Sequence, residues 1–215
     1  NSSCIDYKRE WRLVPDQYLR IMKVTAALKA TLRDYKPPPI PPQFKDHAKA
    51  SVMVLVREAS RPTIVLTKRT SHLSSHAGEV AWPGGRVESA DVSPLAAGLR
   101  ETFEEIGIPQ AAVTVIGELP GEISKFGLWV TPYVGLIRAD QAATANPAEV
   151  ASIFEIPMDW LSANPPNEIE RLDRHGETQW APVYRYGTYR VWGLTALILA
   201  SLVAISGISD REPSR

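Results

Sequence analysis

Apolar side chains recur every three or four residues in several parts of this chain, a spacing typical of one face of an α-helix. The spacing predicts an amphipathic helix over residues 16–35, where Tyr18, Ile21 and Leu28 belong to the apolar face. Further helices are predicted over Pro94–Ile106, Asp159–Ala163 and Val191–Ile205.

Between these helices lie short runs rich in β-branched and apolar residues, which predict strands. A turn ending in Pro62 separates the first two strands and predicts a hairpin, and a second hairpin is predicted through residues 174–176. Strands and helices do not alternate regularly, so we expect an α/β (α+β) protein with a mixed sheet between helices. The predicted strands are Ser51–Val56, Thr63–Thr67, Val113–Glu118, Leu128–Ile137 and Ile153–Ile156.

Five prolines within residues 37–42 interrupt the pattern after the first helix. Proline fixes the backbone and donates no hydrogen bond, so this run is typical of a stiff spacer, and a proline-rich recognition peptide is the alternative. We therefore predict an N-terminal extension over residues 1–36, a linker over 37–43, a main domain over 44–209 and a polar tail over 210–215.

Residues 191–209 carry no charge and are long enough to cross a membrane. Several small or polar residues, among them Gly193 and Ser201, interrupt this apolar run, so a buried helix is favoured and no membrane partner is expected.

The whole chain has 24 basic and 24 acidic residues, and this neutrality disfavours nucleic acid as a partner because nucleic-acid-binding domains are usually basic. One cysteine, Cys4, and the absence of a signal-peptide pattern in this sequence favour a reducing, cytoplasmic setting.

The predicted helix over Pro94–Ile106 carries the most informative cluster of charges. Ser93 is a good N-cap, and Gly107 is placed to end the helix in a left-handed conformation. At 100° per residue, three glutamates fall on one side: Glu101, Glu104 and Glu105. Ala97 and Gly98 are expected on that same side, where they would leave room for a ligand. The opposite, apolar face is expected to pack on the sheet and comprises Leu95, Leu99, Thr102, Phe103 and Ile106.

Three carboxylates on one helical face repel one another unless a cation lies among them. Hard oxygen ligands favour Mg²⁺ or Mn²⁺, and a solvated acidic face is the alternative. Arg100, one turn before Glu104, is at ion-pair spacing and is expected to orient that carboxylate. Before the helix, Gly84 and Gly85 permit close backbone approach to a metal or phosphate, which indicates diphosphate chemistry.

Residues 85–108 resemble the Nudix box, in which Gly, five residues and Glu precede seven residues and the run Arg-Glu-apolar-x-Glu-Glu-x-Gly-apolar. The run at residues 100–108 matches at every charged position and at Gly107, with Thr102 replacing an apolar residue. The first half departs: Asp91 stands where Glu is expected and one residue too far from Arg100, so Asp91 and Glu88 are both candidates for that acidic position.

This resemblance implies a mixed sheet sandwiched between helices and hydrolysis of a nucleoside diphosphate linked to another group, X. It implies that Glu101, Glu104 and Glu105 bind Mg²⁺ or Mn²⁺, which would neutralise the diphosphate and activate a water. Arg100 belongs to the same catalytic set. Glu149, in a later loop, is a candidate to accept the proton of that water, with a solvated loop acid as the alternative.

Upstream residues resemble the signature of the coenzyme A pyrophosphatase branch, with its spacing kept throughout. The resemblance implies that Arg69, His76, Gly84 and Gly85 contact the substrate. Ser74, however, stands where the signature has a second Arg, and His72, His76 or Lys68 would have to compensate. The matching positions are Thr67, Arg69, Gly78, Pro83, Gly84 and Gly85.

Coenzyme A is accordingly the first substrate expectation, with 3′,5′-ADP and phosphopantetheine as products. A Nudix hydrolase acting on damaged nucleoside triphosphates, ADP-ribose or dinucleotides is the second interpretation. A non-catalytic nucleotide-binding protein is the third, and the intact carboxylate face argues against it. The expected partner is a small nucleotide, and a second copy of the chain, forming a homodimer, is retained as a further candidate.

Overall fold

The computed structural model describes residues 15–72, 76–166, 168–174 and 177–206. Its helices are α1 (Pro15–Asp34), α2 (Pro94–Ile106), α3 (Met158–Ala163) and α4 (Gly193–Ser206). All four predicted helices are therefore confirmed, and the bounds of α2 are those that the capping residues predict. Cys4, Ser74, His175 and the predicted tail over residues 210–215 lie outside the described residues.

The strands include all five that the sequence predicts, most of them longer than expected. Four short strands were not predicted, because two or three residues carry too little alternation to be recognised: β3, β4, β6 and β11. The strands are β1 (Lys49–Glu58), β2 (Thr63–Arg69), β3 (Val80–Ala81), β4 (Gly84–Arg86), β5 (Thr114–Glu118), β6 (Glu122–Ile123), β7 (Trp129–Arg138), β8 (Val150–Pro157), β9 (Glu168–Arg174), β10 (Glu177–Tyr186) and β11 (Tyr189–Val191).

Strand β1 lies at the centre of an eight-stranded sheet. It pairs in parallel with β7 from Lys49↔Trp129 to Glu58↔Arg138, and antiparallel with both β2 and β4. The prediction of a mixed sheet is therefore confirmed. A separate sheet of three strands has the order β11-β10-β9, and its pairing of Arg174 with Glu177 confirms the second predicted hairpin.

Alternate side chains of β1 enter two different cores, because successive residues of a strand point to opposite faces. Met53 and Leu55 pack in the core that includes Leu99 and Ile106 of α2. Val54 and Val56 pack in the other core, with residues of α1 and α4. Both faces of the sheet are thus covered by helices, which is the predicted α/β/α sandwich.

Helix α1 contributes to the second core through Leu28 and Leu32, which are 0% and 3% exposed. It approaches β5 closely at Gly117, where an added Cβ would lie 2.8 Å from the Leu32 Cβ. The helix predicted as an extension therefore packs on the sheet.

Helix α4 begins beside β3, and two hydrogen bonds fix its first turn there. The Trp82 indole N–H donates to the Thr195 carbonyl at 3.1 Å, and the Thr195 hydroxyl donates to the Val80 carbonyl at 2.9 Å. In the part of the chain described, no helix is long and apolar enough to cross a membrane.

The orientation of α2 corrects two expectations. Phe103 does not pack on the sheet and is 57% exposed, whereas Ala97 and Gly98 are buried instead of lining a ligand space. Gly98 permits this contact because an added Cβ would lie 2.6 Å from the Ser51 hydroxyl oxygen. The helix is therefore rotated so that the row Gly98, Thr102 and Glu105 faces the sheet.

Candidate active site

Both ends of α2 are capped as predicted, and this fixes where the helix presents its charges. The Ser93 hydroxyl accepts a hydrogen bond from the Ala96 N–H at 3.1 Å. Gly107 has a φ of 69° and donates its N–H to the Phe103 carbonyl, which ends the helix. A left-handed residue at this position favours glycine.

Arg100 holds three carboxylates around its guanidinium. Its Nε and Nη2 donate to the two oxygens of Asp91, each at 3.0 Å. Its Nη1 donates to Glu101 and to Glu104, also at 3.0 Å each. The pairing with Glu104 is the one that the sequence predicts. Asp91, not Glu88, makes the acidic contact with Arg100, while the Glu88 backbone N–H donates to Asp91 at 2.8 Å.

Glu105 differs from the other two glutamates because it is buried, with 2% of its surface exposed. Its carboxylate accepts hydrogen bonds from the Gly84 N–H at 3.1 Å and from the Arg69 Nη1 at 3.0 Å. Burial raises the pKa of Glu105 to about 7, and the Gly84 and Arg69 contacts oppose that rise. The two predicted motifs, the Arg69 region and the helix, thus meet at this carboxylate.

Gly84 and Gly85 lie directly beside these glutamates. A Cβ on Gly85 would lie 2.5 Å from the Glu101 carboxylate, so any residue other than glycine would displace that carboxylate. Gly84 has a φ of 146°, and a Cβ there would overlap the Ser51 carbonyl oxygen. The two glycines therefore allow the backbone of β4 to pack closely against Glu101 and Ser51, in addition to the predicted close approach of the backbone to a metal or phosphate.

Glu149, the predicted later carboxylate, lies directly before β8 and close to Arg69. Its carbonyl accepts a hydrogen bond from the Thr70 N–H at 3.0 Å, and its carboxylate lies 3.9 Å from the Arg69 Nη2. Its charge helps to raise the pKa of Glu101 and of Glu105, for which burial is the largest cause. Glu149 is 40% exposed and so remains open to a water molecule.

These carboxylates fit a divalent cation in their chemistry. They offer hard oxygen donors, and burial, followed by the charges of Glu104 and Glu149, raises the pKa of Glu101, so a cation would stabilise its charged form. Within the described residues, no three acidic, histidine or cysteine groups already converge as a metal site. Arg100 orients Glu101 and Glu104, and Arg69 contacts Glu105, so these three glutamates are the residues that would hold a metal.

A cleft of about 640 Å³ opens beside Gly84 and Gly85. Arg69 and His76, both predicted to contact the substrate, line it. Neither is unpaired: Arg69 contacts Glu105, and the His76 Nδ1 lies 2.6 Å from a Glu79 carboxylate oxygen.

Four other residues of this cleft were not predicted from the sequence to be site residues: Arg86, Lys125, Phe126 and Trp192. They come from β4, from the turn between β6 and β7, and from the segment before α4. No motif links segments so far apart in the chain, so only the fold brings them together.

Glutamates of α2 lie beside the double glycine that lines the cleft, on a mixed sheet covered by helices, and this fold and site define a hydrolase of the Nudix class. The NUDIX domain model matches residues 47–185, so the chain belongs to the Nudix family. It is a Nudix pyrophosphohydrolase, and enzymes of this family generally use divalent metal ions and act on small nucleotide-derived substrates.

The chain is similar to two bacterial proteins named uncharacterized Nudix hydrolase NudL. It is 41% identical to the one from Enterobacter sp. (strain 638), over 74% of this chain and 83% of that protein. It is 39% identical to the one from Escherichia coli (strain K12), over 80% of this chain and 89% of that protein. A crystal structure of a C. elegans Ap4A hydrolase binary complex aligns with a TM-score of 0.45 at 18% identity, covering 52% of this chain and 81% of that chain.

Proposed function

We propose that this chain hydrolyses the diphosphate bond of coenzyme A or its derivatives, using Mg²⁺ or Mn²⁺. The observation that carries the proposal is the meeting of Arg69 with Glu105 at 3.0 Å, beside Gly84. That contact unites the coenzyme A-type signature and the glutamate helix in one site.

In this proposal, Glu101, Glu104 and Glu105 hold the metal, which when bound neutralises phosphate oxygens and lowers the pKa of water. Arg100 and Asp91 orient the first two carboxylates. Glu149 accepts the proton as a water oxygen attacks phosphorus. The P–O bond to the leaving phosphate breaks, and for coenzyme A the products are 3′,5′-ADP and phosphopantetheine.

Ser74 predicts weak recognition of the 3′-phosphate of coenzyme A. A neutral hydroxyl replaces a guanidinium, and a lost charge-assisted hydrogen bond costs about 1.5–3 kcal/mol. We therefore expect dephospho-coenzyme A and coenzyme A to be hydrolysed with similar kcat/KM.

A substrate panel tests the proposal. Product formation is measured from coenzyme A, dephospho-coenzyme A, ADP-ribose and nucleoside triphosphates, each with Mg²⁺ and with Mn²⁺. Highest kcat/KM on coenzyme A or its dephospho form supports the proposal, whereas preference for ADP-ribose or a triphosphate overturns the coenzyme A assignment. Absence of turnover on every substrate would favour a nucleotide-binding role.

The division of the chain at residues 37–43 also remains a proposal. Because Leu28 and Leu32 are buried in the core, we expect a chain that starts at residue 44 to be less stable than the full chain. Thermal melting of the two proteins measures this, and light scattering on the full chain measures whether it forms the proposed homodimer.

A further inference from the structure

Four basic side chains line the cleft, and three of them are already paired with acids. Arg69 contacts Glu105 at 3.0 Å. His76 and Lys125 both contact Glu79, at 2.6 Å and 3.1 Å. A phosphate would have to displace an existing acidic partner to bind any of these three.

Arg86 is the fourth, and it differs because its guanidinium has no acidic partner among the side chains that the structure describes. It directly follows Gly85 on β4 and is exposed. Its carbonyl accepts a hydrogen bond from the Arg100 Nη2 at 3.2 Å, so its backbone is fixed to the arginine that holds Glu101 and Glu104. A guanidinium without an acidic partner therefore lines the cleft, and the backbone of the same residue lies beside the proposed reaction centre.

The other end of the cleft is aromatic, and its cations are compensated by acids. Phe126 is 55% exposed there, and the Lys125 Nζ lies 5.3 Å from its ring and 5.9 Å from that of Trp192. Although burial favours the neutral form, hydrogen bonds from His76 and Lys125 lower the pKa of Glu79, which keeps a negative charge in this part of the cleft.

Arg190 is likewise compensated, because its Nη2 lies 3.2 Å from Glu170 while its guanidinium lies 5.2 Å from the Trp192 ring. The cations at this end are therefore engaged by acids and are not available to a phosphate. This end offers flat apolar surface to an uncharged group, and aromatic side chains bury such groups favourably.

We propose that Arg86 binds the diphosphate of the substrate and that the Phe126–Trp192 end of the cleft takes its uncharged arm. Arginine binds phosphate oxygens through paired, charge-assisted hydrogen bonds. For coenzyme A, the uncharged arm is pantetheine, which leaves the 3′-phosphorylated nucleoside away from Glu79. The inference rests on the proposed function and adds the orientation of the substrate, with its uncharged arm at the aromatic end of the cleft.

Calorimetric binding of product fragments tests Arg86 without turnover. The probes are 4′-phosphopantetheine, 3′,5′-ADP and unphosphorylated pantetheine, each with Mg²⁺. Arg86→Gln is expected to weaken both phosphorylated probes about 10-fold or more and to leave pantetheine unchanged. Arg86→Lys is expected to recover part of the loss, and Arg138→Gln, an exposed arginine paired with Asp140, is the matched control.

Phe126→Ala tests the direction of the substrate, with Trp180→Ala as an exposed aromatic control on β10. We expect Phe126→Ala to weaken both pantetheine probes about 5-fold and to leave 3′,5′-ADP unchanged, because only the arm contacts the aromatic end. The reverse pattern, with only 3′,5′-ADP weakened, would place the nucleoside in the cleft and overturn the direction.

Failure of this inference and failure of the proposed function give different results. Unchanged binding of both phosphorylated probes to Arg86→Gln overturns the Arg86 assignment, even if coenzyme A is hydrolysed. If the panel instead selects another diphosphate, the coenzyme A proposal is wrong, and Arg86 is tested on that substrate. A KM raised about 10-fold with little change in kcat then supports Arg86 as a binding residue, and an unchanged KM refutes it.

Discussion

The guanidinium of Arg69 donates a hydrogen bond to the carboxylate of Glu105 at 3.0 Å, across 36 residues of chain. Glu105 is 2% exposed and Arg69 is 19% exposed, so this ion pair is largely removed from water. Arg69 thus holds a proposed metal ligand in place, and its predicted contact with substrate stays a prediction. Breaking one side of a buried pair is costly because the other charge is left unpaired.

The first prediction concerns the glutamates of α2. Replacing Glu104 or Glu105 with Gln is expected to lower kcat at least ~100-fold, because each change removes a charge that stabilises the transition state through the metal. Steady-state kinetics with Mg²⁺ measures the loss, and circular dichroism checks that the fold remains. Asp140→Asn, at an exposed acid in the turn after β7, is the control, and full activity of either glutamine variant would contradict the metal assignment.

A second prediction concerns the pH dependence of stability without metal. Burial raises the pKa of Glu105 from 4.5 to about 7, so the folded protein keeps a proton that the unfolded chain releases. The stabilisation that comes from this retained proton is fully present below pH 4.5 and is lost as the pH rises through 7. The free energy involved is roughly 3 kcal/mol, because each unit of pKa shift corresponds to about 1.36 kcal/mol.

Urea unfolding in EDTA between pH 4.5 and 8 measures this effect. Other groups also titrate, so the quantity of interest is the difference between wild type and Glu105→Gln. The free energy of unfolding of wild type should fall more steeply toward pH 8 than that of the variant. Parallel curves would show that Glu105 has an ordinary pKa in the folded protein.

The third prediction concerns Arg100, whose guanidinium contacts Asp91, Glu101 and Glu104. Replacing it with Lys keeps the charge but loses the planar fork that holds Asp91 through two nitrogens. We expect Arg100→Lys to weaken Mn²⁺ binding about 10-fold in calorimetry, because the glutamates lose their orientation. Wild-type Mn²⁺ affinity in the lysine variant would show that charge alone suffices.

The fourth prediction separates the two glycines of β4. Gly84→Ala should lower the free energy of unfolding by more than ~2 kcal/mol, because its Cβ meets the Ser51 backbone and its φ of 146° suits glycine. Gly187→Ala is the control, with a φ of 57° and open space around it, and should cost only about 1–2 kcal/mol of strain.

Gly85→Ala is expected to behave differently from Gly84→Ala. Its Cβ would displace the Glu101 carboxylate, a side chain that is able to move, so activity should fall at least ~10-fold while stability changes little. Chemical denaturation and kinetics on the same preparations compare the two effects. A Gly85→Ala enzyme with full activity would show that Glu101 need not stay beside Gly85.

The sequence by itself determined the local features of this protein, because they depend on residues close together in the chain. The caps at Ser93 and Gly107, the bounds of α2 and the Arg100–Glu104 pair follow from helical geometry alone. The five long strands and the mixed sheet follow from hydrophobic runs and their irregular order. Membership of the Nudix family follows from the motif at residues 85–108.

Only the tertiary structure decided the rotation of α2, which depends on what packs beneath it. The helical periodicity predicted that Phe103 faces the sheet. In the structure Gly98 packs closely against Ser51, and this rotation of the helix buries Glu105 and leaves Phe103 exposed. That Asp91 and not Glu88 contacts Arg100 also depends on the path of the loop before the helix. The cleft joins Arg86, Phe126 and Trp192 from three separate segments, and such long-range proximity leaves no periodic pattern in a single sequence.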